Sequence, residues 1–367
     1  LGRATLVLGS RVEIKNCINK GYEKNTNYGY NSQTVYTTTG TKGNGGAIYA
    51  TYESRVTMHP GSKITDCTAY QGGAFYAYYG GMEFWGTTFT NNTAADLADE
   101  INDEYDKINC GYGGAGYGGA YYGCTISGNT AGRSGGGIWL NGGSLNEGCV
   151  VENNTADRAG GIDGSYNSTK ATVKDSFIRN NNAIKGNGGG IYEGTVTNCE
   201  ITGNTATASG GGTYDAAVTN CTIQNNSALH GGGVYSNEGT VTGSVISGNQ
   251  ATYYGGGVYA YRASVTDCQI SDNSAQDGGG IYGYGTITGG EITGNTTTTG
   301  NGGGIYIIGK CTVTGTKISG NQAVNGGGIY ESSYTNLNLD KVEISGNTAE
   351  KLGGGLYQVP WRNYSDW

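Results

Sequence analysis

The chain has 367 residues, a formal net charge of −8 and 35% hydrophobic residues, with 72 glycines, 30 tyrosines and only 2 prolines. Its scattered Lys and Arg form no basic stripe and no nucleic-acid-binding motif is present, which excludes nucleic acid as a partner. No run of about 18 apolar residues exists, which excludes helical membrane insertion of this segment, and the regular spacing of Ile, Val and Tyr excludes a disordered chain.

The sequence opens at Leu1 with neither a signal-peptide pattern nor an initiating Met, so a mature or truncated piece of an exported protein is expected. The segment ATLVLG then predicts a first strand inside a coil. Residues 18–44, rich in Tyr, Asn and Thr, depart from any period. At Gly45 a pattern of two glycines, a small residue and an apolar one begins. Its first position recurs at Gly72, Gly118, Gly135, Ala159, Gly188, Gly210, Gly231, Gly255, Gly278, Gly302, Gly326 and Gly353, thirteen copies in all. Six steps from Gly210 to Gly353 cover 143 residues, a mean near 24, within the range of solenoid repeats.

Each copy continues with a Val-centred segment (Val173, Val196, Val218, Val241, Val265, Ile287, Val313, Leu339) and then Ile-x-Gly-Asn, whose apolar slot holds Ile126, Val151, Ile178, Ile201, Ile223, Ile246, Ile270, Ile292, Ile318 and Ile344. Three short β-branched runs per repeat, bounded by Gly or Asn, predict three strands per coil, and no helical period fits them. No single coil can bury its apolar face, so stability must come from stacking in register.

Stacking turns repeated residues into ladders. Asn92, Asn129, Asn154, Asn181, Asn204, Asn226, Asn249, Asn273, Asn295, Asn321 and Asn347 predict an internal asparagine ladder. Two residues on, Ala131, Ala156, Ala206, Ala228, Ala251, Ala275, Ala323 and Ala349 mark a slot with room for a methyl group. The second corner glycine never varies, whereas the third slot is Ala at Ala47, Ala74 and Ala120; a left-handed or otherwise bulk-intolerant backbone at the second slot is expected. A second departure, residues 93–117, opens with the acidic segment AADLADEINDEYDKI, which predicts a short helix. Both departures leave the same corner as inserted loops, and residues 358–367 form a C-terminal aromatic tail or cap.

The motifs GGAI at Gly45, GGAF at Gly72, FTNN at Phe89 and FIRN at Phe177 resemble the GGA[IV] and Phe-x-x-Asn repeats of chlamydial polymorphic outer-membrane proteins and related right-handed β-helix surface proteins. The resemblance implies a right-handed coil and an adhesin role as an exported passenger. It specifies the fold more than the function.

Candidate chemistry follows from the coil. The residue after the inward apolar one faces outward, at Tyr49, Tyr76, Tyr122, Trp139, Tyr192, Tyr214, Tyr235, Tyr259, Tyr282, Tyr306, Tyr330 and Tyr357. Such a stripe can stack on sugars, pack against a partner, or simply stabilise the sheet. Thr195/Thr197, Thr240/Thr242, Thr286/Thr288 and Thr312/Thr314 resemble the Thr-x-Thr arrays of ice-binding β-helices, although Lys174, Ala217, Ser264 and Asp340 break the array. Cys124, Cys149, Cys199, Cys221 and Cys268 share an inward small-residue slot and are expected to be buried reduced thiols; Cys17 and Cys67 occupy early asparagine slots and could pair. With only His59 and His230 and no CxxC pair, no zinc site is expected, and no cofactor. Asp163, interrupting the aromatic row with Glu193 nearby, is the best candidate for a polysaccharide-cleaving acid.

The expected molecule is therefore all-β: a single right-handed parallel β-helix of about 13 coils over residues 1–367, with three strands per coil. Its expected role is an extracellular or cell-surface rod, an adhesin or filament subunit without enzymatic activity. The partners are a carbohydrate or protein surface, or another copy stacked end to end. A polysaccharide-binding or polysaccharide-degrading enzyme is the alternative, and ice binding a second one.

Overall fold

The computed structural model describes residues 5–19, 23–24, 36–37, 44–51, 54–78, 81–95, 110–165, 170–332 and 335–360. Most of the first expected loop, residues 96–109 of the second with its expected helix, and the tail beyond residue 360 lie outside these residues.

The fold is a parallel β-helix, and no helix occurs among the described residues. Thirteen corners bound about twelve full turns of chain. Every turn adds a strand to each of three sheets: strands of the second and third sheets run two to five residues before a Gly or Asn turns the chain, while in the first sheet the Ile-Tyr and Val-centred runs can join into strands of seven to ten, as at Ile305–Thr314. The first sheet carries the Ile-Tyr strand and the Val-centred strand, the second carries the Ile-x-Gly-Asn strand, and the third carries the small residues.

The chain forms two compact units, Leu1–Phe177 with Asn181–Ile184, and Ile178–Asn180 with Lys185–Trp367. In the first, Ile14, Ile64, Phe89, Ile126 and Val151 pair successively in one parallel column of the second sheet. In the other, the column runs Ile201, Ile223, Ile246, Ile270, Ile292, Ile318, Ile344. The facing column of its first sheet is Val196, Val218, Val241, Val265, Ile287, Val313 and Leu339. From Ile201 to Ile318 and from Val196 to Val313 these side chains are buried. They fill a narrow aliphatic interior, which the third sheet closes with Ala228 paired to Ala251 and Ala323 to Ala349.

The first unit has a different filling. Phe75, Phe84, Phe89 and Tyr121 are fully buried, with ring centroids 4.5 Å apart for Phe75–Phe84 and 5.0 Å for Phe84–Phe89. The Tyr121 hydroxyl donates to the Gly118 carbonyl at 2.8 Å. A Cβ on Gly116 would overlap the Phe75 ring. Gly116 is thus the apolar slot of its coil left empty so that Phe75 can fill it.

That exchange corrects the expected register. The third corner begins at Gly113, not Gly118, and residues 110–117 belong to the coil. Gly113 is left-handed (φ 69°), its N–H bonds Ser134 O like other corner glycines, and Tyr117 pairs with Tyr76 and Trp139. Ala115, not Ala120, is the third-slot alanine, and Tyr122 lies on the Val-centred strand. The sequence GGAY at Gly118 imitates the motif, while the real copy, GGAGY, lacks its apolar residue.

The glycine slots also exchange reasons. The left-handed backbone is at the first slot, where Ala159 is tolerated at φ 51°. The second slot has no positive φ; there a Cβ would run into the carbonyl oxygens of the next turn, as at Gly211 against Gly232 and Gly256 against Gly279. Close backbone approach, not backbone handedness, forbids a side chain there.

Two substitutions separate these effects. Gly256→Ala should destabilise by at least about 2 kcal/mol through overpacking. Ala159→Gly, which relieves a strained left-handed residue, should be neutral or stabilising by up to about 1 kcal/mol. Denaturant midpoints of the two variants check both.

Candidate functional site

The polar interior comes first, because it sets the register of every outward column. From Asn92 onward, at each turn an asparagine side chain points into the dry core, where an unpaired amide would cost about 1–3 kcal/mol. In the second unit Asn204, Asn226, Asn249, Asn273, Asn295 and Asn321 each donate Nδ2–H to Oδ1 of the next asparagine at 2.9–3.0 Å, ending at Asn347. The same Oδ1 accepts the backbone N–H of the preceding asparagine, as Asn273 Oδ1 does from Asn249 at 2.9 Å. The other Nδ2 hydrogen goes to the apolar-slot carbonyl one turn back, as from Asn249 to Ile223 O at 2.9 Å. In the first unit Asn92, Asn129, Asn154 and Asn181 are joined in the same way at 2.9–3.0 Å. Cys67 occupies the slot before them, its N–H donating to Asn92 Oδ1 at 3.1 Å.

The registered tyrosines form a column on the first sheet. Tyr192, Tyr214, Tyr235, Tyr259, Tyr282, Tyr306, Tyr330 and Tyr357 stack with successive centroids 4.6–5.5 Å apart. All are half-buried. Each interior ring has neighbours over both faces, so the column presents ring edges and hydroxyls to solvent. Burial first, then neighbouring phenols, pushes the hydroxyls of Tyr235, Tyr259, Tyr282, Tyr306 and Tyr330 above the ordinary range. In the first unit Tyr49, Tyr76, Tyr117 and Trp139 form a comparable row, at 5.6, 4.6 and 4.6 Å.

Asp163 follows Trp139 in register, but it is fully buried rather than outward. Oδ2 accepts from Arg158 at 3.1 Å and from the Ser134 hydroxyl, and Oδ1 from the Ser165 N–H at 2.9 Å and the Ser165 hydroxyl. Arg158 also reaches Ser134 Oγ at 3.2 Å, and Trp139 Nε1 bonds Ser165 O at 2.9 Å. So engaged, the carboxylate ties Ser134, Arg158 and Ser165 together as a structural anchor.

A column that sequence inspection misses lies across the glycine corner from the tyrosines. His230 pairs with Tyr254, Tyr254 with Asp277, and Asn301 with Asn325. Tyr254 stacks on Tyr282 at 4.4 Å, so the two columns meet. Asp277 Oδ1 accepts from the Asn301 N–H at 2.7 Å, and Asn325 Nδ2 donates to Asn301 Oδ1 at 2.8 Å. Burial raises the Asp277 carboxyl and lowers the His230 imidazole, whose buried Nδ1 has no partner. The only sequence signal for this column is its position, one residue before each corner, because its residue types vary.

On the Val-centred strands Thr197, Thr219, Thr242, Thr266, Thr288 and Thr314 form an unbroken threonine column that ends at Asp340. The companion column of Thr195, Ala217, Thr240, Ser264, Thr286 and Thr312 is mixed. None of the nine cysteines forms a disulfide, so Cys17 and Cys67 do not pair, and only Cys17 is not buried. Burial pushes the Cys67 thiol up to about 11. Among the described residues no group of three or more His, Cys, Asp or Glu could hold a metal ion, and no helix is long and apolar enough to cross a membrane.

This geometry places the chain in the class of right-handed parallel β-helices, and the family model described as a right-handed β-helix region matches residues 113–273. Among solved structures, the chain is similar to PfbA, a surface adhesin of Streptococcus pneumoniae, at 12% identity over 80% of each chain with a TM-score of 0.32. It is also similar to the catalytic domain of a GH87 α-1,3-glucanase in complex with nigerose, at 12% identity over 98% of this chain and 62% of that one, with a TM-score of 0.18. No curated protein matches the sequence.

Two measurements probe the columns. Asn249→Ala strands the Asn226 donors and the Ile223 carbonyl, and should lower stability by about 3 kcal/mol or more in a denaturant titration. The raised tyrosines contribute stability that is fully present below the unfolded phenol value of 10.0 and is lost as pH climbs above it towards the folded values. The last part of the tyrosinate absorbance rise, from the column, should therefore come together with loss of β circular dichroism above pH 10.

Proposed function

We propose that the chain is an adhesive β-helix of an extracellular or cell-surface protein, with the ribbon Tyr192–Tyr357 and its neighbouring polar column as the binding face. The observation that carries this reading is the stacked tyrosine column. Ring faces engaged with one another leave a straight row of edges and hydroxyls, which suits an extended polysaccharide or a protein surface better than a single sugar laid flat on a ring. The Asp277, Asn301 and Asn325 side chains alongside add the planar acceptors and donors that orient such a partner. The GGA[IV] and Phe-x-x-Asn likeness to polymorphic outer-membrane passengers points the same way. A polysaccharide-degrading activity is the less supported reading, since Asp163 is held in an ion pair.

The double variant Tyr282→Ser/Tyr306→Ser tests the proposal. Binding to immobilised polysaccharides and extracellular-matrix proteins should fall at least tenfold, with circular dichroism retained; wild-type binding accompanied by release of reducing ends would instead favour the enzyme. The unbroken threonine column favours ice binding as a second reading, which thermal hysteresis checks: normal freezing removes it.

A further inference from the structure

The first unit carries a groove that the aromatic column does not use. It encloses about 570 Å³, within the ~300–1,000 Å³ of small-molecule sites. Its bed is Gly118, Gly119, Gly142, Gly143 and Ala120, so no side chain beyond a methyl group rises from the floor. Across it the outward residues Glu83, Ala120, Ser144 and Thr172 stand in register on successive turns.

The walls are polar. Glu83 supplies a carboxylate whose ion pair with Arg55 spans 3.8 Å between exposed side chains, a weak attachment. Lys170 supplies an ammonium, and Ser144 and Thr172 supply hydroxyls. Asn141 also lines the groove, and its buried Oδ1 has no hydrogen-bond partner. Two residues along the strand from Glu83, outside the lining, Trp85 stacks on Tyr122 at 4.1 Å.

We propose that this groove binds a neutral oligosaccharide. Hydroxyls that both donate and accept match a site offering a carboxylate acceptor, an ammonium donor and two hydroxyls. The flat glycine bed admits a pyranose ring close to the backbone. A polyanion is disfavoured by Glu83 and by the net charge of −8. An extended peptide would need an open strand edge, and Gly81–Trp85 is paired on both sides. The inference shares a ligand class with the reading above but not a site, so each can fail alone.

The test is calorimetric titration of the full chain with glucose-, mannose-, galactose- and xylose-based trisaccharides, with Trp85 fluorescence as a second readout. At least one should bind with a Kd of about 1 mM or tighter. Ala120→Trp, which fills the groove from an outward position, should weaken that binding at least tenfold, and Glu83→Gln about three- to tenfold. If circular dichroism shows Ala120→Trp misfolded, Glu83→Gln and Asn141→Asp decide. No binding by the wild-type chain, or unchanged binding by the groove variants, overturns the proposal. Loss only in the tyrosine variant overturns it too and assigns the sugar to the column.

Discussion

An amide in a dry interior must find two donors' worth of acceptors and an acceptor's worth of donors, and in this chain it finds them in the copies of itself above and below. Each buried asparagine is satisfied only if the next turn presents Oδ1 at the right height and the previous turn presents its apolar-slot carbonyl, as for Asn249 between Ile223 and Asn273. A slip of one residue would leave several buried groups unpaired at once. Hydrophobic burial alone also opposes a one-residue slip, which would turn the inward Ile and Val columns to solvent, but it would tolerate a slip of two residues, which the amides penalise as well. The amides convert a generic apolar stack into one with a fixed register.

The corner glycines act at the same level. Their second slot lets successive turns approach until backbone carbonyls sit where a Cβ would stand, which brings the amides within hydrogen-bonding reach. The outward columns inherit this spacing. Tyr214, Tyr235 and Tyr259 stack because their Cα atoms are already held in parallel pairs, so part of the aromatic stripe is architecture. What the stacked rings leave exposed, and the Gly118–Gly143 groove where the column pattern is interrupted, are the two faces proposed above for binding.

The fold was legible because a solenoid repeats its constraints, and each repeat offers another sight of the same slot. The Ile, Val and Tyr positions follow from alternation alone. Reading failed at Gly113, where the structure trades an apolar residue for Gly116 to seat Phe75; pattern matching cannot see a side chain supplied by the neighbouring turn. It assigned the second-slot glycines a special backbone because a missing Cβ looks the same in sequence whether handedness or a clash removes it. Asp163 read as an outward acid because Arg158 and Ser134, which bury it, come from neighbouring positions of the fold. The His230 to Asn325 column was invisible for the opposite reason, having a fixed place and no fixed residue type.

Side-chain amide hydrogen exchange of the asparagines, resolved by NMR, bears most directly on the register claim. The Nδ2 protons of Asn226, Asn249, Asn273 and Asn295 should exchange only with global unfolding, as slowly as the most protected backbone amides. Exchange at the rate of solvent-exposed asparagines such as those on the turns would contradict the account, since it would mean that the turns are held together without the amide chain.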